Sequence, residues 1–133
     1  MFFDDLKDEL RRWSRQKRES IFAIDGPSQI GKTHFIHDFL AHHPIEHLYI
    51  DVKSHSTILE RLLNSFYQSA DDFYVALCFE LDSKPNVALK LLVFDGVEYC
   101  PKLRQFFKTL LSHPKVNIVE ITCGGLGPSH YRG

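Results

Sequence analysis

The apolar positions of this chain alternate between short continuous runs and stretches with helical spacing. Runs of six to eight residues are rich in β-branched and aromatic side chains and predict buried strands at residues 20–25, 47–52, 88–95 and 116–122. Elsewhere apolar residues recur every three or four positions, which predicts helices at residues 2–18, 32–41, 58–66 and 73–81 and a last helix opened by Pro101. The alternation favours an α/β fold in three α/β/α layers, with a mostly parallel sheet of about four strands.

Length and charge narrow the class of protein. A chain of 133 residues without an internal linker predicts one domain, residues 1–133, with a leading helix at 2–18. Because 16 basic residues face 17 acidic ones, no overall charge attracts nucleic acid or anionic lipid. Three cysteines without C-x-x-C spacing predict free thiols in a reducing compartment. No signal-like start or membrane-length apolar run is present, so we expect a cytoplasmic protein with no membrane association.

A phosphate-loop motif lies between the first predicted strand and the helix that follows it. Residues 26–33 read GPSQIGKT and satisfy G-x-x-x-x-G-K-[ST] in that context, which favours a nucleotide site over a simple glycine turn. The glycines let backbone N–H groups converge on phosphate oxygens, and the helix N-terminus adds partial positive charge. Lys32 should reach the β- and γ-phosphates, and the Thr33 hydroxyl should bind Mg²⁺. The predicted nucleotide-binding residues are Gly26, Pro27, Ser28, Gln29, Ile30, Gly31, Lys32, Thr33 and His34.

The run LLVFD supplies an acid for the metal. Four apolar residues precede Asp95, which therefore stands at the carboxyl end of a buried strand, on the side where open parallel sheets bind ligands. We predict that Asp95 supports Mg²⁺, either as a ligand or through the other ligands of the metal. A turn or helix-capping aspartate beside Gly96 is the alternative.

These segments resemble a known family. AIDGPSQIGKTHFI and LLVFDGVEYCPKLRQFFKTLLSHPKVNIVEITCGGLG, with the spacing between them, are similar to the AAA-type ATPase module of bacterial and archaeal predicted ATP-binding proteins. The resemblance covers residues 8–127 and implies a P-loop NTPase fold, with ATP and Mg²⁺ as cofactors. Members typically carry a further nuclease-like domain toward the C-terminus.

The sequence departs from that family at two positions. The family has a water-polarising glutamate where this chain has Gly96, and a polar γ-phosphate sensor where it has Gly125. Glu98 is a weaker candidate for orienting water, because it lies three residues past Asp95. We expect Mg–ATP binding with weak or absent hydrolysis, so whether the chain is an ATPase stays open. We also expect Gly96→Glu to raise turnover if φ at residue 96 is negative, and to strain the turn if φ is positive.

The end of the sequence suggests alternatives to nucleotide binding. Gly133 precedes the fifth strand, arginine finger and lid that the resemblance implies, so we expect an unpaired sheet edge beside the strand at 20–25. Self-association or a protein partner would follow from such an edge. A nucleotide-independent interaction module and a non-functional fragment are the alternative functions. Lys32, by contrast, should serve the phosphates and contribute nothing to the core.

Three other features have a plainer interpretation. The basic stretch at residues 11–18 could contact nucleic acid, but acids just upstream favour a solvated helix face. The histidines of residues 34–47 could hold zinc, although no Cys or acidic ligand completes a known spacing. Cys100 could be a nucleophile, but a small apolar residue at a helix start fits its surroundings better.

Overall fold

The computed structural model describes residues 2–16, 20–26, 31–43, 45–65, 70–81, 91–112, 117–123 and 131–132. The elements in chain order are α1 (Phe2–Ser14), β1 (Ile21–Gly26), α2 (Lys32–His42), β2 (His47–Asp51), α3 (Val52–Leu63), α4 (Ala70–Glu80), β3 (Leu91–Asp95), a 3-10 turn (Val97–Tyr99), α5 (Leu103–Ser112), β4 (Asn117–Cys123) and β5 (Tyr131–Arg132). No helix in these ranges is long and apolar enough to cross a bilayer.

The strands form one sheet in the order β2-β3-β4-β1-β5. The four longer strands pair in parallel, as the alternation of runs and helices predicts. The sequence predicts an unpaired sheet edge beside β1. This expectation is partly wrong, because Tyr131 and Arg132 pair antiparallel with Phe22 and Ile21. A two-residue strand has no periodicity of its own, so the sequence pattern could not reveal it.

Helices cover both faces of the sheet, which gives the three layers. α1 and α2 pack on one face around Phe22, Ile24, Val93 and Val119. α3, α4 and α5 pack on the other face around Ile50, Leu92, Phe94 and Ile118. Because neighbouring residues of a strand point to opposite faces, β4 contributes side chains to both cores.

Several boundaries differ from the predicted ones for local reasons. Val52, expected to end a strand, begins α3 and is buried in its core. The helix expected at Pro101 begins at Leu103, after a turn in which the Leu103 N–H donates to the Cys100 carbonyl at 3.1 Å. α1 ends at Ser14, whose hydroxyl donates to the Arg11 carbonyl at 2.8 Å, and residues 17 and 18 of the predicted helix lie outside the described ranges.

An ion pair anchors α5 to the centre of the sheet. Glu120 of β4 is fully buried, and its two carboxylate oxygens accept bonds from Nε and a terminal nitrogen of Arg104 at 3.0 and 2.9 Å. Buried carboxylates require such pairing, because an unpaired charge away from water is strongly unfavourable. This pair holds β4, the strand between β1 and β3, in register beneath α5.

Candidate nucleotide site

The carboxyl ends of β1, β3 and β4 meet at one edge of the sheet. Gly26 at the end of β1 is paired with Cys123 of β4, and Asp95 at the end of β3 is paired with Ile121. α2 begins at this edge with Lys32. In open parallel sheets this edge is where ligands bind, so the fold itself brings the two predicted halves of the site together.

Lys32 is more deeply embedded than the sequence suggests. Its side chain is only 5 % exposed, and Nζ donates a hydrogen bond to the Gly26 carbonyl at 2.7 Å. The expectation that Lys32 contributes nothing to the core is therefore wrong, because its aliphatic stem is buried while its ammonium group reaches the end of β1.

Gly31 shapes the start of α2. It precedes the helix with φ +93°, a left-handed conformation that glycine adopts without penalty, and its carbonyl accepts the first helical bond from the Phe35 N–H at 2.8 Å. Glycine has no side chain with which to cap the helix, and the partial positive charge of a helix N-terminus favours an anion at this place.

Thr33 and Asp95 form a direct pair across the site. The Thr33 hydroxyl donates to Oδ2 of Asp95 at 2.7 Å, although 61 residues separate them in the chain. The Tyr49 hydroxyl donates to the same oxygen. The sequence identifies both Thr33 and Asp95 as candidate site residues. Tyr49 belongs to no motif, and only the register of β2 against β3 shows that it lies near Asp95.

Tyr49 is held between α2 and β3. Its ring lies 4.4 Å from the His37 ring, centroid to centroid. The pKa of the Tyr49 hydroxyl lies above its usual range. Partial burial is the largest cause of this raised pKa, and the bond to the Asp95 carboxylate is the second. The hydroxyl is therefore a proton donor to Asp95 at neutral pH.

Asp25 joins the end of β1 to β4. Its Oδ1 accepts the Gly26 N–H at 2.8 Å and the hydroxyl of buried Thr122 at 2.9 Å. These bonds fix the backbone at Gly26, where the phosphate-loop motif begins. The sequence offers only a weak signal for this contact, since Asp25 precedes the motif and Thr122 is 97 residues away.

Gly96 follows β3 in a left-handed conformation with φ +98°. An added Cβ would lie 3.2 Å from Cδ2 of Tyr99 and 3.8 Å from the Lys53 nitrogen, so a side chain at this position meets both an unfavourable backbone conformation and a close neighbour. The positive φ decides the conditional expectation for Gly96→Glu: the substitution strains this turn.

Glu98 is directed toward the end of β4. Its Oε1 accepts the Cys123 N–H at 3.3 Å. Partial burial and the Glu98 carboxylate raise the pKa of the Cys123 thiol, an effect that Lys32 partly offsets. Glu98, Cys123 and Lys32 thus form a second polar group beside the Thr33–Asp95 pair.

Comparison with known protein families decides the family. A model described as an AAA domain matches residues 18–124, most of the chain. The chain belongs to the AAA domain family. No curated protein matches it. The match supports a nucleotide-binding AAA-like module in general, and it does not test the nuclease-like domain that members of the resembled family typically carry.

Other predicted residues are either not hydrogen-bonded to the Thr33–Asp95 pair within the described part of the chain or lie outside the described ranges. His34 is exposed on α2, while residues 27–30 and Gly125 fall outside the described ranges. Cys100 is fully buried, and burial raises the pKa of its thiol, as suits an apolar role. In the described ranges, no group of three His, Cys, Asp or Glu residues is arranged to hold a metal.

The part of the basic stretch that lies on α1 contributes to the structure of the helix and the core. Arg11 pairs with Asp8 at 3.0 Å on the solvated side of the helix. Trp13 is buried on the opposite side, where its indole N–H donates to the Ser20 hydroxyl. The indole ring is therefore part of the hydrophobic core.

Proposed function

We propose that this AAA domain binds Mg–ATP at the carboxyl ends of β1, β3 and β4 and hydrolyses it slowly or not at all. The hydrogen bond from Thr33 Oγ1 to Asp95 Oδ2 carries this proposal. It joins the hydroxyl of the phosphate-loop motif to the strand-end acid, the two groups that support the metal in P-loop NTPases.

The donor set suits Mg²⁺, which prefers oxygen ligands and retains several waters. Because the Thr33 hydroxyl donates its proton to Asp95, its oxygen could serve as a ligand of a cation. Within the described part of the chain, Asp95 Oδ1 accepts no hydrogen bond and can receive a metal-bound water. Bound Mg²⁺ would neutralise charge on the β- and γ-phosphates.

The phosphate side has the complementary charge. The bond to the Gly26 carbonyl keeps the Lys32 ammonium at the end of β1, next to the N-terminus of α2. A point charge and a helix N-terminus at the same place favour an anion, and a polyphosphate satisfies both. The preference for ATP over other nucleoside triphosphates rests on the family resemblance.

The expectation of slow hydrolysis rests on the residues that follow β3, Gly96 and Glu98. Gly96 provides no carboxylate to align water, and its backbone conformation disfavours one. Glu98, the weaker candidate, bonds to the backbone of Cys123. A side chain that is positioned to orient the attacking water contributes about 10²–10⁴-fold to the rate. We expect hydrolysis here to be slower by about that factor.

Calorimetric titration of the purified chain with ATP, in MgCl₂ and in EDTA, tests the proposal. We expect saturable binding that Mg²⁺ strengthens and phosphate release close to the uncatalysed background. Absence of ATP binding in both buffers would refute the nucleotide site and favour the nucleotide-independent interaction module. Rapid turnover that survives Gly96→Ala and Glu98→Gln would instead contradict the account of hydrolysis.

A further inference from the structure

Tyr49 connects the candidate metal site to the edge strand of the sheet. Its hydroxyl donates to Asp95 Oδ2, the oxygen that also accepts the Thr33 hydroxyl. Its ring contacts His37, which lies one helical turn after Thr33 on α2. The phosphate-loop motif requires neither contact, so the tyrosine adds something that the motif does not specify.

Two donors on one oxygen restrict how the Asp95 carboxylate can turn. A carboxylate oxygen offers about two lone pairs, so Thr33 and Tyr49 together satisfy Oδ2. The terminal torsion of an aspartate is otherwise broad, and Thr33 alone would leave the plane of the group loosely defined. With Oδ2 satisfied from two sides, Oδ1 is the oxygen presented to a cation or its waters.

We propose that Tyr49 is a positioning residue for Asp95, whose carboxylate it orients so that Mg²⁺ strengthens nucleotide binding. The inference rests on the proposed function and deepens it. Groups that hydrogen-bond to the residues supporting a metal typically change metal affinity 10–100-fold when they are removed. Tyr49 acts here through Asp95 and does not itself need to touch nucleotide or metal.

Tyr49→Phe tests this role, because it removes the hydroxyl and keeps the ring against His37. The measured quantity is the ratio of ATP dissociation constants in EDTA and in MgCl₂, obtained by calorimetry. We expect the ratio to fall about tenfold, through weaker binding in MgCl₂ and unchanged binding in EDTA. Tyr74→Phe is the matched control, since Tyr74 is buried in the core on the opposite face and should leave the ratio unchanged.

A double-mutant cycle with Asp95→Asn shows whether the hydroxyl acts through the carboxylate. In the Asp95→Asn background, Tyr49→Phe should no longer change the ratio. If Tyr49→Phe does not fold, as judged by thermal unfolding, His37→Ala is the second variant. It leaves every hydroxyl in place but removes the ring contact, and we expect it to lower the ratio about threefold.

The outcomes separate this inference from the proposed function. If the unmodified chain binds ATP with a Mg²⁺ dependence that Tyr49→Phe leaves unchanged or increases, the positioning role is refuted while the nucleotide site stands. A loss in MgCl₂ and EDTA alike would show a purely structural role and also refute the inference. No ATP binding by the unmodified chain overturns both.

Discussion

Two connections that follow strands of this AAA domain contain a left-handed glycine: Gly31 before α2 (the binding junction) and Gly96 after β3 (the hydrolysis junction). Gly31, at φ +93°, precedes α2 and places no side chain beside the helix N-terminus, the end of a helix that favours an anion. Gly96, at φ +98°, follows β3 and occupies the position where the family resemblance implies a water-polarising glutamate. Under the proposed function, the same backbone conformation would assist phosphate binding at one junction and would leave the other without a carboxylate for hydrolysis.

The neighbours of the two glycines extend this difference. Beside Gly31, the Lys32 ammonium donates to the Gly26 carbonyl and the Thr33 hydroxyl donates to Asp95. Beside Gly96, the Tyr99 ring occupies the space next to the position of an added Cβ. The Lys53 ammonium lies 5.5 Å from the centre of that ring. Substitutions at each junction should therefore separate nucleotide affinity from the strain of the β3 turn.

The largest effect is expected at the binding junction. Lys32→Ala should weaken ATP binding between tenfold and a thousandfold, about 1.4–4 kcal/mol, because the phosphates lose their point charge. Calorimetry in MgCl₂ measures the change. Since the lysine stem is buried, the midpoint of thermal unfolding should also fall in the absence of nucleotide.

Lys7→Ala is the matched control for that substitution. Lys7 is exposed on α1, away from the strand ends, so neither ATP affinity nor the unfolding midpoint should change. Equal ATP affinity in Lys32→Ala and the unmodified chain would remove the phosphate-loop assignment, whatever the effect on stability.

At the other junction, Gly96→Ala and Gly96→Glu should lower stability and leave turnover near background. A left-handed conformation costs a non-glycine residue about 1–2 kcal/mol, which urea unfolding of each variant can detect. Combining Gly96→Ala with Tyr99→Ala removes the 3.2 Å neighbour but not the backbone penalty, so the loss should persist. A Gly96→Glu variant that hydrolyses ATP rapidly at full stability would contradict this view of the turn.

The sequence predicts more of the binding junction than of the hydrolysis junction. Thr33 and Asp95 are identified from a motif and a strand-end acid, because each signal is local and the parallel sheet necessarily brings strand ends together. The four parallel strands follow equally from continuous apolar runs bounded by helical spacing.

The remaining features depend on information that no local pattern contains. Glycine is compatible with either sign of φ, so the turn at Gly96 cannot be deduced from its identity. Tyr49 reaches Asp95 only through the register of β2 against β3, and Thr122 reaches Asp25 only through that of β4 against β1. The direction of Glu98 likewise depends on the turn that carries it.

Thr122→Val tests the binding junction alone, because it removes a hydrogen bond to Asp25 and leaves the turn at Gly96 unchanged. It keeps the shape of the side chain but removes the hydroxyl that donates to Asp25, which should cost about 1 kcal/mol of stability. Because Asp25 also holds the Gly26 N–H, ATP affinity should fall about threefold, roughly 0.7 kcal/mol. Thr57→Val, at an exposed position of α3, is the control and should change neither quantity. An unchanged affinity in Thr122→Val would separate Asp25 from nucleotide binding.

The smallest expected effect concerns Cys123, where the two junctions meet. The thiolate is the reactive form, and partial burial and the Glu98 carboxylate disfavour it, so alkylation should require a pH above the ordinary thiol pKa. Glu98→Gln removes one negative charge and should shift the rate profile for iodoacetamide toward lower pH, raising the rate at pH 8 about two- to threefold. Mass spectrometry can follow Cys123 separately, with buried Cys78 and Cys100 as slow internal references. A profile that Glu98→Gln leaves in place, or moves to higher pH, would mean that in solution the Glu98 carboxylate is not beside Cys123, and Glu98 would again be a candidate for orienting water.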